Sequence, residues 1–165
     1  MKMTALAFFC LTLIAPLSDV ADARDQWLVR EKPQEIRFLG ANGNPRPEAV
    51  IFMPGDGGWI GSAVEMARMV ASLGYDVYGF DVKTYLSDFT GKTTLSEAEM
   101  AADLRSLGAW VHQKSGRPVI YAGWSQGANM SLLAGVASKP DEFCRGVLAI
   151  GLKGNIVFVL ELRLL

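Results

Sequence analysis

The sequence predicts an α/β fold in which a mostly parallel β-sheet is covered by helices on both faces. Two observations predict it: short, wholly apolar runs of strand length, and between them segments whose apolar residues recur at helical spacing. A strand that is apolar on both sides must be buried on both sides, so helices are expected above and below the sheet. Strands that alternate with helices along the chain are expected to pair in parallel.

The first half of the chain contains three predicted strands and one predicted helix. Residues 35–39 form a short extended run, which a cluster of turn-forming residues at 40–47 closes. Residues 49–53 (AVIFM) have the pattern of a buried strand, and a glycine-rich loop follows them. Apolar residues at helical spacing predict a helix over 62–73, and residues 75–81 return to strand character.

The second half begins with a predicted polar connection over residues 84–94. Ser96 and Glu99 then form a capping box, which predicts a helix that runs to about Lys114. The remaining predicted elements are a strand at 119–122, a helix at 128–137 and a buried strand at 146–152.

Composition excludes several classes of protein. Of 165 residues, 50% are apolar and 20% are charged, which is incompatible with a disordered or fibrous chain. The formal net charge is −1, so there is no excess of basic residues for binding nucleic acid. The two cysteines, Cys10 and Cys144, cannot build a disulfide framework or a zinc site, and Cys144 is predicted to be a buried apolar residue. No motif requires a metal or a cofactor.

The N-terminus is predicted to be a secretory signal peptide spanning residues 1–23. Lys2 supplies the positive start, residues 5–15 are almost entirely apolar, and Ala21-Asp22-Ala23 has the form that signal peptidases accept. The apolar run is shorter than the roughly 20 residues needed to span a membrane. We therefore expect cleavage after Ala23 and a periplasmic or secreted protein. The alternative is a buried N-terminal helix or a retained anchor.

The segment Gly123-Trp124-Ser125-Gln126-Gly127 fits the pattern Gly-x-Ser-x-Gly. A predicted strand precedes it and a predicted helix follows, which is the context of a nucleophile elbow. The tight turn would strain the serine backbone, and Gly123 and Gly127 would remove side chains that otherwise collide. This predicts Ser125 as a catalytic nucleophile. The alternative is an ordinary glycine-rich turn between a strand and a helix.

A second glycine-rich segment, residues 55–59 (GDGGW), follows the strand at 49–53. An oxyanion hole uses the N–H group after the nucleophile, here that of Gln126, and a second from a loop after an earlier strand, here that of Asp56 or Gly57. The alternatives are a plain turn and a phosphate-binding loop, although the Gly-Lys-Ser/Thr ending of the latter is absent.

These motifs together resemble the α/β-hydrolase superfamily and, within it, the bacterial virulence protein family called VirJ. The GDGGW loop is the family hallmark, and Trp124-Ser125 and Asp103-Leu104 stand where the family has similar pairs. The resemblance covers residues 49–152. It implies an exported serine hydrolase that cleaves carboxylic esters, with a small-molecule or lipid substrate such as an aminoacylated phospholipid at a membrane surface.

The resemblance also suggests residues that border the substrate. Asp56 and Asp81 could attract a positively charged ester, although the preferred interpretation of Asp81 is a loop cap or a surface charge. Trp59 and Trp124 bracket the predicted site, as substrate contacts or as packing residues.

The sequence departs from the superfamily at the catalytic triad, whose chain order is serine, acid, histidine. Asp141, Glu142 and Glu161 are the acids that follow Ser125, and no histidine follows it. The single histidine, His112, precedes the elbow and is predicted to be a solvated helix residue.

The sequence therefore predicts a signal peptide at 1–23, an N-terminal strand and linker at 24–48, and a partial α/β-hydrolase domain at 49–165 that is truncated at its C-terminus. The alternative function is a non-catalytic exported binding or chaperone-like module.

Overall fold

A computed structural model describes residues 23–89, 95–138 and 143–152. Its strands are β1 (Ala23–Val29), β2 (Lys32–Leu39), β3 (Ala49–Met53), β4 (Asp76–Phe80), β5 (Val119–Trp124) and β6 (Cys144–Ile150). Its helices are α1 (Ser62–Ser72), α2 (Val82–Phe89), α3 (Glu97–Ser115) and α4 (Gln126–Ala137). The signal-peptide prediction lies outside the described residues except for Ala23, which begins β1. None of the described helices combines the length and apolar character needed to cross a membrane.

The described strands form one mixed sheet in the order β1-β2-β4-β3-β5-β6. The four strands from β4 to β6 in this order are parallel, whereas β1 and β2 form an antiparallel hairpin whose second strand pairs antiparallel with β4. The prediction of a mostly parallel α/β sheet is confirmed.

Helices cover both faces of this sheet because its central strand is apolar throughout. All five residues of β3 are buried. On one face α1 packs through Ala63, Ala67 and Ala71, whose four-residue spacing puts small side chains against the sheet. On the other face, a larger cluster includes Leu104 and Leu107 of α3 and Met130 and Ala134 of α4.

Two elements differ from the sequence predictions. Residues 24–48 contain a hairpin, β1 and β2, rather than a single strand at 35–39 and a linker. Residues 82–89 form α2, where the sequence predicted a polar connection at 84–94; residues 90–94 lie outside the described part. The helix forms because Val82 and Tyr85 bury one side of it while its polar residues face outward.

The boundaries of three elements differ slightly from the predictions, and two of them make the turn at Ser125 tighter. β5 extends to Trp124 and α4 begins at Gln126, so a single residue, Ser125, separates strand from helix. β6 spans Cys144–Ile150 rather than 146–152, and Cys144 is buried as predicted.

The carboxyl ends of β3, β4 and β5 meet at one edge of the sheet, where the predicted site residues lie.

Candidate active site

Ser125 occupies the turn between β5 and α4 in a strained backbone conformation with positive φ, at φ 57° and ψ −117°. Its N–H donates to the carbonyl of Ile150 at 2.9 Å, and its own carbonyl accepts from the N–H of Ala128 at 3.0 Å. The side chain does not cap α4. The hydroxyl is therefore half-buried at the start of a helix, and no described residue engages it in a hydrogen bond.

The flanking glycines allow the close approach of backbone that this turn requires. A Cβ on Gly127 would overlap the carbonyl of Met53 at the end of β3, and a Cβ on Gly123 would overlap the carbonyl of Gly127. The first turn of α4 therefore packs directly on the backbone of β3 and β5. Any side chain at either position would push Ser125 away from the sheet edge.

Residues 55–59, here called the glycine loop, lie beside Ser125. A Cβ on Gly55 would be 3.1 Å from Cβ and 3.6 Å from Oγ of Ser125. Within the loop, the N–H of Gly58 donates to the carbonyl of Gly55 at 3.0 Å. In the described part of the chain, no group accepts a hydrogen bond from the N–H of Asp56, Gly57 or Gln126. The three N–H groups predicted for an oxyanion hole are thus uncommitted.

Ser125 and the glycine loop border a cavity of about 440 Å³. The sequence did not predict Ile60, Gly61 and Ser62 as part of the site, although they directly follow the loop. Ile60 and Trp124 give the cavity apolar walls; they are 69% and 36% exposed. The lining residues are Gly55, Asp56, Gly57, Gly58, Ile60, Gly61, Ser62, Trp124 and Ser125.

The two predicted tryptophans have different environments. Trp124 lines the cavity, whereas Trp59 is buried in the core beneath α1 and does not line it. The Trp59 ring packs edge-on against Phe52, with 6.0 Å between centroids, and fills the space above Gly79 of β4. Trp59 is therefore a packing residue that anchors the end of the glycine loop.

Asp81 follows β4 and does not line the cavity. Its Oδ2 accepts from the N–H of Trp59 at 3.3 Å, and its Oδ1 accepts from the N–H of Lys83 at 3.0 Å. Of the roles considered from the sequence, this geometry matches the loop cap.

The single histidine is remote from Ser125. Nδ1 of His112 lies 2.8 Å from the carbonyl of Arg117, just before the start of β5, whereas Ser125 follows its end. A six-residue strand spans about 20 Å. His112 lies on α3, as predicted, but it is half-buried and stacks on Phe143 at 5.9 Å between centroids, so it is only partly solvated. Phe143 covers one side of the ring.

The acidic residues that follow Ser125 in sequence, Asp141, Glu142 and Glu161, lie outside the described residues. Asp103 on α3 is buried and is bound to other parts of the chain: it pairs with Arg30 at 2.9 Å and accepts from the Tyr85 hydroxyl at 2.7 Å. Among described residues, no group of three His, Cys, Asp or Glu side chains could hold a metal ion.

Comparison with known proteins identifies a family and a fold. Residues 48–154 match the model of a family described as bacterial virulence protein (VirJ). No curated protein matches the chain.

Three similar solved structures are enzymes by their descriptions. Thermogutta terrifontis esterase 2, phosphonylated by cyclosarin, has a TM-score of 0.55 and 14% identity over 80% of this chain and 56% of the esterase. Dienelactone hydrolase from Anabaena variabilis has a TM-score of 0.55 and 18% identity over 75% of this chain and 62% of the hydrolase. A probable hydrolytic enzyme from Pseudomonas aeruginosa has a TM-score of 0.53 and 14% identity over 76% of this chain and 39% of the enzyme.

At these low identities, the structural similarity shows a shared fold alone, the α/β-hydrolase fold. The chain spans little more than half the length of the esterase, at 56%.

Proposed function

The chain belongs to the bacterial virulence protein (VirJ) family, and from that premise we propose that it is a serine hydrolase in which Ser125 attacks a carboxylic ester. One observation carries the proposal. The Ser125 hydroxyl is presented by a strained strand-to-helix turn, in contact with a glycine loop whose N–H groups are uncommitted. A nucleophile beside preorganised donors is the arrangement that acyl transfer requires.

In the proposed reaction, Oγ of Ser125 attacks the ester carbonyl and its proton passes to a general base. The N–H of Gln126 and that of Asp56 or Gly57 stabilise the oxyanion, assisted by the positive end of the α4 dipole. The alcohol leaves with a proton, and water then hydrolyses the acyl-enzyme. No described residue accepts a hydrogen bond from the Ser125 hydroxyl, so we assign the base to a segment of the protein outside the described residues.

The finer identity of the substrate is part of the proposal. Ile60 and Trp124 make apolar walls, and the exposed carboxylate of Asp56 stands at the same cavity. An ester that combines an apolar part with a positive charge would complement both. An aminoacylated phospholipid has this chemistry, and the proposed site of action is a membrane surface facing the periplasm or the cell exterior, reached through the predicted signal peptide.

A second candidate function is a non-catalytic binding module that keeps the hydrolase core. The remoteness of His112 from Ser125 favours it, because a serine without a base is a weak nucleophile.

Reaction with a neutral fluorophosphonate distinguishes the two functions. Esterase 2 of the same fold is phosphonylated by cyclosarin, a reagent of this type. We expect slow, saturable labelling of Ser125, because an oxyanion hole alone retains about 10³–10⁴-fold of catalysis over water. Peptide mapping by mass spectrometry identifies the modified residue.

Ser62→Ala is the matched control, because Ser62 lines the same cavity. Labelling should persist in Ser62→Ala and disappear in Ser125→Ala. A folded chain that is not labelled, or that is labelled equally after Ser125→Ala, would favour the binding module.

A further inference from the structure

We propose that Asp81 is a positioning residue that holds the glycine loop in place beside Ser125. The inference rests on the proposed function, which needs the N–H groups of that loop at fixed positions. The family resemblance suggested that Asp81 attracts a charged substrate, and the positioning role differs from that one.

One carboxylate joins two elements. Oδ2 of Asp81 accepts from the N–H of Trp59, at the end of the glycine loop. Oδ1 accepts from the N–H groups of Lys83 and Thr84, at 3.0 and 3.5 Å, in the first turn of α2. Asp81 therefore caps α2 and fixes the loop to the end of β4 at the same time.

The contacts continue from Asp81 to the nucleophile. Gly58, at φ +80°, lies so close to Asp81 that a Cβ there would be 3.2 and 3.3 Å from the two carboxylate oxygens. The N–H of Gly58 donates to the carbonyl of Gly55, and Gly55 is packed on Ser125. Asp56 and Gly57 lie between Gly55 and Gly58 in the chain, and both ends of this segment are therefore fixed. Releasing the Asp81 end should let their N–H groups move relative to Ser125.

Because the two carboxylate oxygens of Asp81 bind different elements, its capping of α2 can be tested separately from its positioning of the glycine loop. Asparagine caps helices as well as aspartate does, but it has only one acceptor oxygen. In Asp81→Asn, an amide oxygen that caps α2 leaves an NH₂ group facing the N–H of Trp59. We therefore expect Asp81→Asn to retain the stability of the fold while the loop loses its attachment.

The test compares Asp81→Asn with the wild type and with Asp76→Asn. Asp76 lies at the opposite end of β4, where it accepts from the N–H of Ala41 and pairs with Arg117, far from the glycine loop along the strand. A neutral fluorophosphonate is used, so that the lost charge does not alter attraction of the probe. The maximal labelling rate, the half-saturating concentration and Tm are measured for each protein.

We expect the maximal labelling rate of Asp81→Asn to fall about tenfold with Tm nearly unchanged, a smaller effect than the removal of an oxyanion donor. Asp76→Asn should lower Tm and leave the rate unchanged. Hydrogen exchange of the Trp59 N–H should accelerate in Asp81→Asn only.

A wild-type rate in Asp81→Asn, or unchanged exchange at Trp59, would overturn the positioning role. Absence of Ser125 labelling in the wild type itself would instead defeat the proposed function, and the inference with it.

Discussion

At the scale of single residues, Ser125 adopts a backbone conformation that residues other than glycine rarely occupy, with φ 57° and ψ −117°. Such a conformation costs about 1–3 kcal/mol and persists only where the surroundings impose it. Here the surroundings are the carbonyl of Ile150, which accepts the N–H of Ser125, and the close packing of Gly127 on β3. The strain is maintained at the residue that carries the proposed chemistry.

This strain predicts that glycine at position 125 stabilises the fold relative to alanine. Both Ser125→Gly and Ser125→Ala lack the hydroxyl, so their comparison isolates the backbone. We expect Ser125→Gly to be more stable than Ser125→Ala by about 1 kcal/mol, because glycine adopts this conformation without a Cβ clash. Urea unfolding measures the difference.

Ser62 supplies the control, since it starts α1 with helical geometry. There glycine should be no more stable than alanine. A stabilisation by glycine at both positions would show that the effect at Ser125 does not come from its backbone conformation.

At the scale of elements, α3 shows how a local motif fixes a helix end. Ser96 Oγ accepts from the N–H of Glu99 at 3.3 Å, and Glu99 Oε2 accepts from the N–H of Ser96 at 2.8 Å. This capping box is the one that the sequence predicted, and it is confirmed. The hydrogen bond from the Ser96 hydroxyl, then that from its N–H, and then Arg30 lower the pKa of Glu99 to about 2.

The lowered pKa predicts that the fold loses stability in acid through Glu99. A carboxylate whose pKa is lower in the folded than in the unfolded chain stabilises above its unfolded pKa, near 4.5. That contribution is lost as the pH falls from about 5 towards 2. Glu99→Gln should therefore be less stable than the wild type at pH 6, and the difference should shrink by pH 2. Urea unfolding across this range is the measurement.

Glu97 is the matched control for this experiment, because it lies in the same first turn without a hydrogen bond to a described residue. Glu97→Gln should show no comparable loss at pH 6. An equal pH dependence for both variants would contradict the assignment to the capping box.

The elements that the sequence predicted share strong local signals, and the two it missed do not. β3 is a continuous apolar run, and the capping box of α3 needs only Ser96 and Glu99, which are three residues apart in sequence. The β1–β2 hairpin turns at Arg30 and Glu31, both with positive φ, where Asn-Gly is the usual signal. α2 is only eight residues long, and the sequence prediction placed its cap, Asp81, at the end of a strand with no helix after it.

The same distinction applies to the site. Ser125 and the glycine loop were predicted because motif and turn coincide in sequence. The packing role of Trp59 depends on Gly79, and the hydrogen bond from Trp59 to Asp81 joins the glycine loop to the end of β4. Such contacts follow from strand order, which the sequence does not specify residue by residue.

At the scale of the whole molecule, a polar cluster centred on the buried carboxylate of Asp103 joins the antiparallel hairpin to the helices on one face of the sheet. Arg30 from the hairpin turn pairs with Asp103 of α3 at 2.9 Å and with Glu99 at 3.1 Å. Tyr85 of α2 donates to Asp103 at 2.7 Å. Burial, followed by the hydrogen bond to Asp103, raises the pKa of Tyr85 strongly, so its hydroxyl remains a neutral donor. Hairpin, α2 and α3 therefore meet at one carboxylate.

This cluster predicts that removing one hydroxyl weakens the whole fold. Tyr85→Phe keeps the ring in the core but leaves the buried carboxylate of Asp103 with one donor fewer. A hydrogen bond to a charged group contributes about 1.5–3 kcal/mol, so we expect a loss of that order in the free energy of unfolding by urea. Tyr78→Phe is the control, since Tyr78 is buried in the same hydrophobic core as Tyr85 and its hydroxyl bonds to no described residue. This variant should cost about 0.5 kcal/mol or less. Equal losses in the two variants would mean that ring packing, and not the bond to Asp103, connects the hairpin to the helices.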